Sequence, residues 1–182
     1  MADHPRSTHP SCLEAERLSR RAFNAPVRTL LTHWLMLHDR EQLPDRSRFD
    51  TAALPEQVLP YLFLLERTPD GCEPGGRWRL TLSGSHVTCA LGRDFTGCVL
   101  VDEQIPGISR SRTLRLLGPL AETGLPAHFH GTSSFRPQDG YGYSYHDHEQ
   151  VLLPFRSGGD GVDFVAGAIV YEESREATPA PR

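Results

Sequence analysis

The chain is expected to fold as an α+β domain, an antiparallel sheet with helices over one face and an extra N-terminal helix. Three observations predict it. A helical apolar stripe (Val27, Leu30, Leu31, Trp34, Leu35 and His38) precedes the first strand-like run. Two strand-like runs follow, Tyr61–Glu66 and the alternating Arg77–Leu82. Three more close the chain after a helical middle. Successive strands on short loops pair antiparallel, and the helices among them must cover a face.

Taken in order, residues 1–10 and 174–182 are Pro-rich and polar and are expected to be disordered tails. Residues 11–43 form an N-terminal helical segment. Ser11 to Glu14 fits a capping box, with Ser11 as N-cap and a short helix to about Phe23. The stripe helix then ends at Leu43-Pro44. The main domain spans 44–173. Within it, 44–51 reads as an extended loop, and Ala52–Leu59 as a short helix with Pro55 in its first turn. Strands 61–66 and 77–82 form a hairpin, with Trp78, Leu80 and Leu82 inward by alternation. His86–Leu91 is a short helix stopped by Gly92, and Phe95–Leu100 reads neither clearly as strand nor as loop. A helix from Ser109 to about Glu122 carries Leu114, Leu117 and Ala121 on one stripe, with Pro119 inside it. Strands at 127–132, 145–155 and 162–172 complete the sheet, separated by loops 133–144 and 156–161.

Composition narrows the function. With 182 residues and 38% apolar content, a core needs no staples. No apolar run approaches the ~20 residues of a membrane-spanning helix. The first ten residues hold no apolar segment, so no secretory signal is expected. Net charge is −4, which offers no basic field for nucleic acid. All 19 basic residues are Arg, which excludes a lysine Schiff base or P-loop lysine. Cys12, Cys72, Cys89 and Cys98 form no Cys-x-x-Cys pair, so free thiols in a reducing cytoplasm are expected.

Several local segments, in order, resemble the PAS superfamily, and more narrowly a divergent branch of small standalone bacterial PAS-domain proteins. They are Leu30-Leu-Thr-His-Trp34, Leu43-Pro-Asp-Arg-Ser-Arg-Phe-Asp50, Leu54-Pro55 and Leu59-Pro-Tyr-Leu-Phe-Leu-Leu65. Arg79-Leu-Thr-Leu-Ser-Gly84, Gly92-Arg-Asp-Phe-Thr-Gly97 and Leu152-Leu-Pro-Phe155 continue the set. The resemblance spans about residues 27–172. It departs at Thr51, where the family has Pro, and at Thr81, where it has Arg. It implies a five-stranded antiparallel sheet in the order 2-1-5-4-3, a cavity between sheet and helices, and a sensory or dimerising role without catalysis.

On that reading the ligand-facing candidates are Trp78, Leu80, Leu82, His86, Cys89, Phe95 and Phe129, with His86 orienting the ligand. The cofactor is unknown. A flavin–thiol adduct is not expected, because Phe95 follows Gly92-Arg93-Asp94 where light-sensing relatives carry Cys. Haem is not expected, because residues 109–123 contain no His. An alternative is a metal site from His128, His130, His146 and His148. If 128 pairs with 148, four imidazoles share one outer face. Ser83, Ser85, His86 and Asp94 cluster in sequence without a Gly-x-Ser-x-Gly elbow, so a hydrolase is not favoured. Arg17, Arg20, Arg21 and Arg28 read as a solvated helix face, and Arg110, Arg112 and Arg115 as a minor anion-binding candidate. The expected protein is a small-ligand or partner-binding regulatory module. Its second reading is an interaction module with a self-filled pocket. A homodimer is expected, from apolar surface on the N-terminal helices and the outer sheet face. Protein partners are expected; nucleic acid and membrane are not.

Overall fold

The computed structural model describes residues 9–39, 41–69, 77–100, 112–135, 144–159 and 161–172. The two expected tails fall almost wholly outside them, as does Ser109. Helices α1 (Pro10–Ser19) and α2 (Ala25–Leu37) come first, then three 3₁₀ turns at Arg46–Arg48, Thr51–Ala53 and Glu56–Tyr61. The sheet and its covering helices follow as β1 (Leu62–Thr68), β2 (Arg77–Ser83), α3 (Ser85–Leu91) and β3 (Val99–Leu100). They end with α4 (Arg112–Thr123), β4 (Ala127–Phe135), β5 (Ser144–Phe155) and β6 (Phe164–Tyr171).

All neighbours in the sheet run antiparallel, in the order β3-β2-β1-β6-β5-β4. Without β3, the remaining five strands stand in the expected order. The sixth strand is the ambiguous segment: Val99 and Leu100 pair with Arg79 and Trp78. Two local expectations change. His9, not Ser11, caps α1: its Nδ1 accepts the Ser11 N–H at 3.3 Å, and Pro10 takes the first turn, where no N–H is needed. Glu14 pairs with Arg17 instead of reaching back to the cap. The helix expected at 52–59 is two 3₁₀ turns, because Pro55 and Pro60 interrupt an α-helical ladder.

The N-terminal helices take the second face of the sheet, so helices cover both. On one side α1 and α2 bury Val27, Leu30, Leu31 and Trp34 against Leu62, Leu64, Val151, Leu153 and Phe155. On the other, α3 and α4 bury Val87, Leu117 and Leu120 against Leu65, Trp78, Leu80, Leu152 and Val165. The apolar outer face from which a dimer was expected is therefore covered by the chain's own helices. Each buried Leu, Phe or Val contributes ~1.5–3 kcal/mol. Trp34 also ties α2 to β5, its Nε1–H donating to the Pro154 carbonyl at 2.9 Å.

Alternation also fails in β2. Leu64 pairs with Leu82 but Leu65 pairs with Leu80, so Thr81 is an extra residue, a β-bulge. Beyond the hairpin, Gly84 donates its N–H to Leu62 O at 2.8 Å and lies against the turn before β1. A Cβ there would overlap the carbonyl oxygens of Leu59 and Pro60. Gly84→Ala is therefore expected to cost about 3 kcal/mol, whereas Gly159→Ala, with open space around it, should change stability by under about 0.5 kcal/mol. Thermal unfolding of the two variants checks this contrast.

The N-terminal helices carry a pH-sensitive joint. Ser11 is fully buried and its Oγ lies 2.8 Å from His38 Nε2. Burial pushes His38 down to about 4, with a smaller contribution from His9. The folded state thus keeps this ring neutral where the unfolded chain, near 6.5, takes up a proton. Stability is fully present above the unfolded value and is lost as pH falls from about 6.5 toward 4. From pH 7 to pH 5 the loss expected from this residue is about 1–2 kcal/mol. Urea unfolding at both pH values, with His38→Gln flattening the slope, tests it.

Candidate functional site

The face between the sheet and helices α3 and α4 splits into two ends. At the β2 end, Trp78, Leu80 and Phe95 are 2–3% exposed and lie in one cluster with Val87, Leu100 and Leu117. These three predicted lining residues pack among the chain's own apolar side chains. Two other candidates are not brought to this face. Leu82 packs with the α1/α2 core, because the bulge at Thr81 turns it over. Cys89 is exposed on α3.

At the β4–β5 end the surface is polar and aromatic. His86, near the start of α3, is half-buried. Its ring lies 4.5 Å from Tyr61 and stacks on Tyr171 at 6.1 Å. Its Nε2 accepts the Tyr171 N–H at 3.0 Å, so the neutral ring carries its proton on Nδ1. Burial lowers the pKa of His86, which favours that neutral form. Beyond Tyr171 the line continues to His148 at 5.5 Å and from there to Phe129 at 5.3 Å. The far edge of the Phe129 ring occupies the space beside Gly131, where a Cβ would overlap it. Burial also pushes the Tyr171 phenol up, so it stays protonated. Of the predicted residues, His86 and Phe129 thus belong to one array, joined by Tyr61, His148 and Tyr171, which sequence reasoning missed. A separate cleft of about 240 Å³ lies between Gln42, Glu122, Thr123 and Arg156, and none of the predicted ligand-facing residues borders it.

The four-histidine metal site does not form. His128 pairs with Val151 and His130 with Glu149, while Gly131 pairs with His148 and Ser133 with His146. Opposite residues share a face, so His128 and His130 lie on the α2 side and His148 on the other. The expected pairing of 128 with 148 is off by three residues, and an odd slip exchanges faces. Its cause is β5: Val151, Leu152 and Leu153 are all fully buried, so the apolar pattern did not say which side was inward. Among the described residues no group of three or more His, Cys, Asp and Glu could hold a metal.

What this register builds instead is a carboxylate clamp. Glu149 has no exposed surface, and its Oε1 and Oε2 accept the N–H groups of Phe23 and Asn24 at 3.0 and 2.7 Å. His128 Nε2 donates to Oε1 at 2.7 Å. Burial alone raises a carboxyl pKa, but His128 and the two backbone donors outweigh it and hold Glu149 below its ordinary value. Asn24 is the N-cap of α2, so the clamp fixes where that helix begins. A signal for it exists in the sequence: Glu149 sits two residues before a wholly apolar run on the same strand.

An antiparallel sheet in this order, with α3 and α4 packed over one face, defines an α+β domain of the PAS type. The chain belongs to the PAS domain family, whose model matches residues 22–170. No curated protein matches it. Among solved structures it is similar to the light-state LOV structure of the blue-light photoreceptor Aureochrome1, at 10% identity and TM-score 0.37. That match covers 64% of this chain and 84% of that one. It is also similar to a fungal LOV domain photoreceptor, at 12% identity and TM-score 0.41, over 69% and 81% of the two chains.

Removing the clamp's charge tests its weight. Glu149→Gln sets an amide N–H₂ against backbone donors and should cost about 2–3 kcal/mol. Faster amide exchange at Phe23 and Asn24 is expected with it. Unchanged exchange there would show that α2 does not depend on the carboxylate.

Proposed function

We propose that the protein is a non-catalytic PAS sensory module of bacterial signalling, acting in the cytoplasm as a homodimer that passes its state to a protein partner. No described helix is long and apolar enough to cross a membrane, which accords with this placement. The observation that carries the reading is the array Tyr61, His86, Tyr171, His148 and Phe129. Ring faces and a neutral imidazole with its proton on Nδ1 suit a planar small molecule bearing a hydrogen-bond acceptor. His86 keeps the orienting role, because its Nε2 is already committed to Tyr171.

A second reading, an interaction module with a self-filled pocket, draws on the packed end. Trp78, Leu80 and Phe95 leave almost no surface there. Native against denatured mass spectrometry separates the two. Excess mass per subunit under native conditions is the expected result, and His86→Ala should weaken retention about tenfold, the worth of ~1.4 kcal/mol, without unfolding. A native mass equal to that of the bare chain, with added planar aromatic acids failing to raise the melting temperature, would favour the second reading.

A further inference from the structure

The homodimer reading leaves the joining surface unassigned, and the inference here rests on that reading. Strand β4 is an edge of the sheet: among the described residues it pairs with β5 alone, over nine residues without a bulge. The other edge, β3, is only two residues long. Long edge strands present a row of backbone donors and acceptors to other strands, and proteins that stay monomeric guard them with charges, Pro or bulges. β4 reads Ala-His-Phe-His-Gly-Thr-Ser-Ser-Phe, with no Pro, Lys, Arg, Asp or Glu.

A second observation points to the same place. Phe23 is 46% exposed, and its ring stands edge-on to the exposed His130 of β4 at 4.9 Å. Its own N–H is held by Glu149, so the Phe23 backbone is anchored beside the edge. A large apolar side chain at the flank of an unguarded strand is what a strand-pairing interface covers.

We propose that two copies pair β4 against β4, antiparallel, about a two-fold axis at Gly131, so that one sheet runs through the dimer and Phe23 of each copy is covered. The strand is self-complementary under that axis. His130 stands opposite the second copy's Thr132, and no like charges meet. At the axis itself Gly131 meets Gly131, with no side chain to collide.

Light scattering after size exclusion, with amide exchange of residues 127–135, tests it. The wild type is expected at twice 20.3 kDa. Phe23→Arg, which adds charge beside Arg20 and Arg21, should raise the dimer dissociation constant at least about tenfold. Exchange in β4 should speed up in the variant and on dilution of the wild type. A wild type at 20.3 kDa at all concentrations would sink the homodimer reading and this inference together. A wild-type dimer whose β4 exchange is unaffected by dilution would overturn this interface alone. That dilution experiment decides the matter even if Phe23→Arg fails to fold.

Discussion

A carboxylate without water must find its donors in the protein, and Glu149 finds all of them at one junction. Two are backbone N–H groups at the start of α2, more than a hundred positions earlier in the chain, and the third is His128 on the neighbouring strand. Leaving such a charge unpaired costs several kcal/mol, so the arrangement is all or nothing. With that point set, α2 can lie only one way across the sheet. Trp34 then reaches Pro154, and Leu30 and Leu31 close over Val151 and Leu153. The double-sided core depends on this one placement.

Much of the fold was legible because it is local. The stripe from Val27 to Trp34 is a helix, the 61–82 hairpin exists, and Gly92 stops α3 in the left-handed conformation at φ 77°. What failed was the assignment of faces, and it failed for two separate physical causes. In β5 the run Val151-Leu152-Leu153 is buried on both sides and has no alternation to read. In β2 the alternation is present but Thr81 interrupts it, and a bulge leaves no mark in hydropathy. The metal alternative fell to the first cause and Leu82 to the second. His86 and Phe129 were found as candidates, but their companions Tyr61, His148 and Tyr171 come from three different elements, and only the register of β5 with β6 brings the last two together.

The split of the helix-covered face into a packed end and a polar aromatic end also has an origin in β5. Residues 148 and 150 face α3 and α4, while 149 between them faces α2. One short stretch of strand thus carries a member of the ring array and the anchor of the N-terminal helices on its two sides. Displacement of His148 is one peptide unit away from displacement of Glu149. The two faces are mechanically adjacent even though their cores are separate.

The bulge at Thr81 has a consequence for how this chain can vary. A deletion of one residue there would not merely shorten β2. It would remove the register shift and leave Leu82 opposite Leu64 and Ser83 opposite Phe63, with Leu80 and Leu82 as consecutive residues on opposite faces of a regular strand. A length change elsewhere in the hairpin, in the loop between β1 and β2, disturbs none of these. Thr81 is therefore the residue that lets two leucines two positions apart serve opposite cores, and β2 should tolerate its loss better than the loss of a paired residue on either side of it.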